Sequence, residues 1–216
     1  RRPRRHVSGK RGAGRMLNLP NKLSILRIVL VPFFVAFLVY DFVPYHTLWA
    51  LLLFLVASYT DHLDGKLARA RNEITSFGKF LDPLADKILI LSALVCFAQL
   101  RLCSVWVPLI VLLREFAVTS LRLVAVENGR VIAANLWGKA KTVTQMVASI
   151  YMLLIQTLAS FGVPAGAAYI DWLSASPGVY AGLLLFGNVL LWLSCVMTIV
   201  SGIVYIRDNF DVLRHS

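Results

Sequence analysis

Residues 48–87 read LWALLLFLVASYTDHLDGKLARARNEITSFGKFLDPLADK. The opening run, Leu48–Ala57, is apolar throughout and fit for lipid, yet Asp61, Asp64, Asp82 and Asp86 follow it directly. Carboxylates at the end of a membrane helix are costly unless something neutralises them, and acids in that setting usually serve a function. Their spacing decides how the chain folds here. Offsets of three and four residues share a helix face, so Asp61, Asp64, Gly65 and Ala68 form one stripe at the end of a helix. Asp82 and Asp86 lie one turn apart at the start of the next helix. Pro83 suits the first turn of that second helix, where a missing N–H costs little. The link between them folds the helix ends back together, so the four carboxylates can converge.

The rest of the chain sets these two helices in a larger bundle. It has 216 residues, of which 58% are hydrophobic and 15% charged, and its mean hydropathy is positive. A soluble domain of that size cannot hide so much apolar surface, so the class is an all-α polytopic membrane protein. A spanning helix needs ~20 mostly apolar residues. Six segments qualify, at about Lys22–Tyr40, His46–Arg69, Pro83–Leu100, Val105–Val126, Leu136–Ala159 and Tyr180–Ile206. Short links join them, apart from the longer Gly/Pro/Ser-rich connection Ser160–Val179. No internal repeat of fixed period is visible, so a repeat-built transporter has no support from that test.

Charge orients the bundle. The formal net charge is +11; beside apolar spans such an excess speaks for topology and anionic lipid rather than nucleic acid. An even number of spans puts both termini on one side, together with the basic connections GKLARARNEITSFGKF and ENGRVIAANLWGK. The other side holds Asp41, Asp171 and, of 22 Lys and Arg, only Arg101. The positive-inside rule then makes both termini cytoplasmic and faces the aspartates to the cytoplasm. Arg1–Arg15 has neither an acid nor an apolar core, so it does not read as a secretory signal. It is expected to be a disordered basic tail ahead of a six-helix membrane domain over 16–208, with 209–216 a short polar tail. Cys96, Cys103 and Cys195 show no metal-thiolate spacing and an odd count, and read as packing residues.

Converging carboxylates repel unless a cation joins them, and oxygen donors in that number suit hard divalent ions, Mg²⁺ or Mn²⁺. Two ions are expected, because one small octahedral ion rarely takes four protein carboxylates. Gly65 and Ala68, on the same stripe, leave a notch where a flat base or a phosphate can approach. Arg69 beside it is a fixed positive charge suited to a diphosphate. Lys66, Arg71, Glu73 and Lys79 read as ordinary interfacial charges. The arrangement describes a site for a diphosphate-containing nucleotide.

Written out, the spacing is DxxDGxxARx8Gx3Dx3D, from Asp61 to Asp86. It resembles the signature of the CDP-alcohol phosphotransferase family at all eight fixed positions. That resemblance implies a six-helix membrane fold, a homodimer and a cytoplasm-facing site with two divalent ions. Carried over by position, Asp61, Asp64, Asp82 and Asp86 match the metal ligands, and Asp86 also matches the proposed proton acceptor. Gly65, Ala68, Arg69 and Gly78 match the part of the signature that meets the nucleotide or diphosphate. Asn21 and Thr75 sit where family members contact the CDP-lipid.

The acceptor is read elsewhere. Arg114 and Glu115 interrupt the fourth span, and Arg122 lies eight residues after Arg114 on nearly the same face. Lys139 and Lys141 open the fifth span. Basic residues near helix ends often snorkel to the headgroups, which suits Lys141 and Arg130. Arg114 sits well inside its span and needs a partner. Arg114, Arg122, Lys139 and Lys141 are therefore candidates for a basic pocket that takes a phosphorylated acceptor. Glu115 either orients one of the arginines or faces elsewhere.

Beyond the signature, LNLPNKLSILRIVLVPFF, FGKFLDPLADKI, REFAVTSLRL and WGKAKTVTQM resemble bacterial family members whose acceptor is glycerol 3-phosphate, over Met16 to about Ala148. The implied reaction moves the phosphatidyl group of CDP-diacylglycerol to glycerol 3-phosphate at the bacterial cytoplasmic membrane. Relatives that accept phosphatidylglycerol or an inositol phosphate share the signature and remain alternatives. An ion carrier would need polar residues through the outer half of the spans, and ILILSALVCFAQL and AGLLLFGNVLLWL offer few. A non-catalytic scaffold would be expected to lose a carboxylate, and none is missing.

Overall fold

Apolar segments separated by short polar turns can satisfy their backbone groups in lipid only as helices or closed barrels. The segments here are helix length. The computed structural model describes residues 19–71, 76–127, 136–161 and 177–209, with side chains described for residues 24–60, 87–125, 136–161 and 178–209. Among the described residues every regular element is an α-helix: α1 Leu19–Val39, α2 His46–Arg71, α3 Ser76–Gln99, α4 Trp106–Glu127, α5 Leu136–Phe161 and α6 Pro177–Asp208. The expected N-terminal tail, residues 210–216, Thr75 and most of the long connection after α5 fall outside the described residues.

Five of the six expected segments match a helix to within a few residues at each end. The third differs. α3 starts at Ser76, so Pro83 stands inside the helix rather than in its first turn. The reason is local. Proline's fixed φ already fits helical backbone, and in a packed bundle the hydrogen bond it forgoes does not stop the residues ahead of it from continuing the helix. Pro32 is a second interior proline, in α1.

Two helices, Leu136–Phe161 and Gly178–Asp208, are long and apolar enough to cross a membrane by length and composition. The described apolar parts of α1, α2 and α3 are shorter, at Ser24–Val39, His46–Thr60 and Lys87–Gln99. α4 carries Arg114, Glu115 and Arg122 in its body. Large apolar side chains such as Leu113, Phe116, Leu123, Leu185 and Val189 face outward. An all-helical chain with an apolar exterior is what lipid solvent calls for.

α1 packs against both α2 and α3, α5 against α6, and α4 against α6, while α2 and α3 each also touch α5. The main core draws Phe34 from α1, Phe54 from α2, Phe97 from α3, Val111 from α4, Met152 from α5 and Leu191 from α6. Small residues let the backbones approach, as expected where helices pack in lipid. Ala50, Ala57, Ala93 and Ala148 are fully buried. Gly187 is the tightest case, because a Cβ there would sit 2.4 Å from Met152 Sδ and 3.2 Å from Tyr151.

Polar side chains join the helices where they would otherwise be orphaned. Thr47 Oγ1 and Ser160 Oγ share a hydrogen bond between α2 and α5, and Gln156 Nε2 donates to Tyr180 Oη at 3.0 Å between α5 and α6. α3 ends in a turn in which Leu102 N donates to Phe97 O at 2.8 Å and Arg101 N to Ala98 O at 3.1 Å. Such a cap places one residue in the left-handed region; here it is Arg101, with φ 58°. Asn188 Nδ2 of α6 then donates to Leu102 O at 2.8 Å, fastening the turn to the bundle.

Candidate active site

The signature residues fall on two joined helix ends. Asp61, Asp64, Gly65, Ala68 and Arg69 occupy the last three turns of α2, and Gly78, Asp82 and Asp86 the first three turns of α3. Residues 72–75 link the two helices, which also touch one another. The backbone therefore puts two carboxylate positions on each helix at one-turn offsets, in the halves of α2 and α3 that adjoin in sequence. Their side chains lie outside the described residues, as does that of Asn21 in α1. Among the described residues no group of three His, Cys, Asp or Glu gathers. The donor chemistry of the four aspartates fits a hard divalent ion, all ligands being carboxylate oxygen.

Directly after Asp86 on α3 comes Lys87, and with it the described part of the site begins. Lys87 Nζ donates to Thr119 Oγ1 of α4 at 2.7 Å and stands 3.4 Å from Glu115 Oε2. Glu115 Oε1 accepts from Arg114 Nη1 at 3.0 Å and from Lys141 Nζ at 2.5 Å. Glu115 thus binds cations from α3, α4 and α5 at once. Pairing of this kind is what a buried charge requires, since an unpaired one is strongly unfavourable.

Arg114 is held from the far side as well. Its Nη2 donates to Ser201 Oγ of α6 at 2.6 Å. Two glycines make room for it: a Cβ at Gly202 would lie 3.2 Å from Arg114 Cγ, and one at Gly138 would lie 3.7 Å from Arg114 Nη2. Arg114 Nε is buried and has no hydrogen-bond partner among the described residues.

Of the residues proposed for a basic pocket, Arg114 and Lys141 are brought together by Glu115. Arg122 and Lys139 are exposed on α4 and α5. Glu115, whose direction the sequence left open, faces the cations. Lys87 escaped sequence reasoning because its role depends on α4, which is distant in the chain. Arg27 of α1 was also passed over, although it is 1% exposed and the largest fully buried side chain among the described residues. The signal was available, since an arginine nine residues into an apolar helix deserved the same question as Arg114. Arg27 and its neighbour Ser24, equally buried, both hold polar interactions.

Comparison with known proteins widens the resemblance. Residues 17–200 match the sequence model of the CDP-alcohol phosphatidyltransferase family. The likeness therefore continues well past Ala148, where the sequence alone suggested it fades. The chain is 37% identical over 215 residues to a CDP-diacylglycerol–glycerol-3-phosphate 3-phosphatidyltransferase of Bacillus subtilis, covering 93% of this chain and all of that protein. It is 35% identical over 191 residues to the protein of that name from Rickettsia bellii, covering 88% and 94%. To the Escherichia coli K12 protein of the same name it is 40% identical over 141 residues, covering 63% and 76%.

Proposed function

The chain belongs to the CDP-alcohol phosphatidyltransferase family, and from that premise we propose that it transfers the phosphatidyl group of CDP-diacylglycerol to glycerol 3-phosphate, giving phosphatidylglycerophosphate and CMP. The observation that carries the reading is the Bacillus subtilis relative, matched over its whole length and named for this donor and this acceptor. The intact signature supports it, because every position of Asp61-x-x-Asp64-Gly65-x-x-Ala68-Arg69, Gly78, Asp82 and Asp86 is present.

The residues divide the work as follows. Gly65, Ala68, Arg69 and Gly78 receive the CDP moiety, with Asn21 and Thr75 at its lipid side. Asp86 takes the proton from the 1-hydroxyl of glycerol 3-phosphate. That oxygen bonds to the phosphorus beside diacylglycerol, and the P–O bond to CMP breaks. Asp61, Asp64, Asp82 and Asp86 suit two Mg²⁺ or Mn²⁺ ions, which when bound supply positive charge against the diphosphate. A carboxylate is a weak base near neutral pH, so alignment of the hydroxyl on the phosphorus carries much of the rate. Arg114, Arg122, Lys139 and Lys141 form the basic pocket that holds the acceptor's phosphate.

The basic-residue asymmetry supports six spans in a bacterial inner membrane, with both termini and the site on the cytoplasmic side. The family resemblance adds a homodimer. The test is direct: purified protein in lipid–detergent micelles is given CDP-diacylglycerol with glycerol 3-phosphate, phosphatidylglycerol or an inositol phosphate. CMP release with glycerol 3-phosphate alone is expected. Release with either of the others in its place would overturn the assignment.

A further inference from the structure

Lys87 and Glu115 have no part in the reading given so far, yet they complete its basic cluster. We propose that Glu115 is a positioning residue that gathers Lys87, Arg114 and Lys141 into one anion-binding set, and that Lys87 contacts the acceptor's phosphate, so that the set selects acceptors bearing a phosphomonoester. This inference rests on the proposed phosphatidyl transfer and adds two residues and a basis of selectivity to it.

Three observations carry it. The first is the charge arrangement: one carboxylate meets three cations from three helices, at 2.5 Å for Lys141, 3.0 Å for Arg114 and 3.4 Å for Lys87. Among the described residues Glu115 is the one carboxylate that Lys87 and Arg114 share, and a charge so divided leaves those two cations receptive to another anion. The second is Arg114 Nε, a buried donor with no partner among the described residues; such groups in native structures call for an explanation, and an anion that draws the guanidinium toward it would supply one. The third is the gradient of access. The Lys141 and Arg114 side chains are 7% and 13% exposed, whereas Lys87 is 30% exposed. Lys87 is therefore the member an entering anion meets first.

Lys87 also has bonding capacity in reserve. An ammonium group carries three donors, and here Thr119 and Glu115 engage it from one side. It follows Asp86 on α3; neighbouring side chains leave a helix in different directions, so an acceptor bound at Lys87 has to bridge from one to the other. Glu115 fixes where the cations stand and restrains their mutual repulsion. The ligand that fits is a phosphomonoester, which carries about −1.5 to −2 at neutral pH. A phosphodiester carries a single negative charge and matches the set less well.

The test compares Lys87→Met, Glu115→Gln and Glu115→Asp with the wild type in full-length, micelle-bound protein. Three acceptors are used: glycerol 3-phosphate, its methyl phosphodiester and glycerol. The wild type is expected to prefer glycerol 3-phosphate. Lys87→Met and Glu115→Gln should each raise KM for it about tenfold or more, the scale of a lost charge-assisted hydrogen bond. KM for CDP-diacylglycerol should hold, preference for the monoester should shrink, and Glu115→Asp should restore part of the loss. Should Glu115→Gln fail to fold, Lys87→Met gives the same readout from a half-exposed position. Unchanged KM in Lys87→Met, beside a wild type active on glycerol 3-phosphate, overturns this inference alone. A wild type that uses only acceptors without a phosphomonoester overturns it together with the proposed reaction.

Discussion

Arg114 of α4 and Ser201 of α6 meet through a hydrogen bond of 2.6 Å from Nη2 to Oγ, and the glycine after Ser201 leaves just enough space for the arginine's stem. The contact fixes a guanidinium between helices rather than letting it snorkel. Snorkelling serves long basic side chains near the ends of spans. Arg114 sits nine residues into α4, with Glu115 on one side and Ser201 on the other.

Arg114→Ala is accordingly expected to raise KM for glycerol 3-phosphate about tenfold or more while changing KM for CDP-diacylglycerol little. Ser201→Ala should act in the same direction but more weakly, since it removes one neutral hydroxyl contact and leaves the charge. Arg122→Ala also tests the pocket, from an exposed position. Steady-state kinetics with each substrate varied in turn decides the matter, and an effect confined to the lipid donor would remove these arginines from the acceptor pocket.

Asp86→Asn keeps the size of the side chain but removes the proton acceptor and one of the four carboxylate charges. CMP release should fall by roughly a hundredfold to ten-thousandfold, the range of general-base catalysis, while the fold and CDP-diacylglycerol binding persist. Chelation of divalent ions should stop turnover in the wild type, and adding back Mg²⁺ or Mn²⁺ should restore it. Binding of labelled CDP-diacylglycerol, measured beside activity, separates loss of the base from loss of the site. Full activity in Asp86→Asn would acquit this carboxylate of the role.

These expectations divide according to what the sequence could show. Helix positions were legible because apolar runs of spanning length leave little choice of structure in lipid, and the aspartates because fixed gaps of three and four residues place them on shared faces. The start of α3 differs because Pro83 reads as a first-turn residue, whereas proline forbids less inside a packed helix than inside an isolated one. The hub at Glu115 was out of reach for a different reason. Its three partners sit on α3, α4 and α5, and no periodicity within one helix reports which face of the next it meets.

Removing Arg1–Arg15, so that the chain starts at Met16, should leave turnover of CDP-diacylglycerol essentially unchanged. The segment has no carboxylate and no apolar face to pack, and the family match begins only at residue 17. Its basic residues can still add affinity for anionic lipid, about 1 kcal/mol per Lys or Arg near the surface. The truncated protein is therefore compared at saturating substrate, in micelles with and without anionic lipid. A loss of activity at saturation in both would mean that the tail reaches the site.

Gly187 offers a test of the fold that leaves the site alone. It lies on α6 where that helix crosses α5, and a Cβ there would fall 2.4 Å from Met152 Sδ and within 3.3 Å of the Tyr151 ring. Met152 is fully buried, but its thioether chain is flexible, so Gly187→Ala should cost little once the sulfur swings aside. Gly187→Val asks for more volume than that movement yields and should lower stability by about 1–3 kcal/mol, the usual penalty for overpacking. Met152→Ala alone opens a cavity and should destabilise by about 2–5 kcal/mol. Combined, the two changes fill and relieve one another, so the double variant should be more stable than the sum of the single losses predicts. Thermal unfolding in detergent measures all four variants. Strict additivity would show that α5 and α6 do not approach each other at this point.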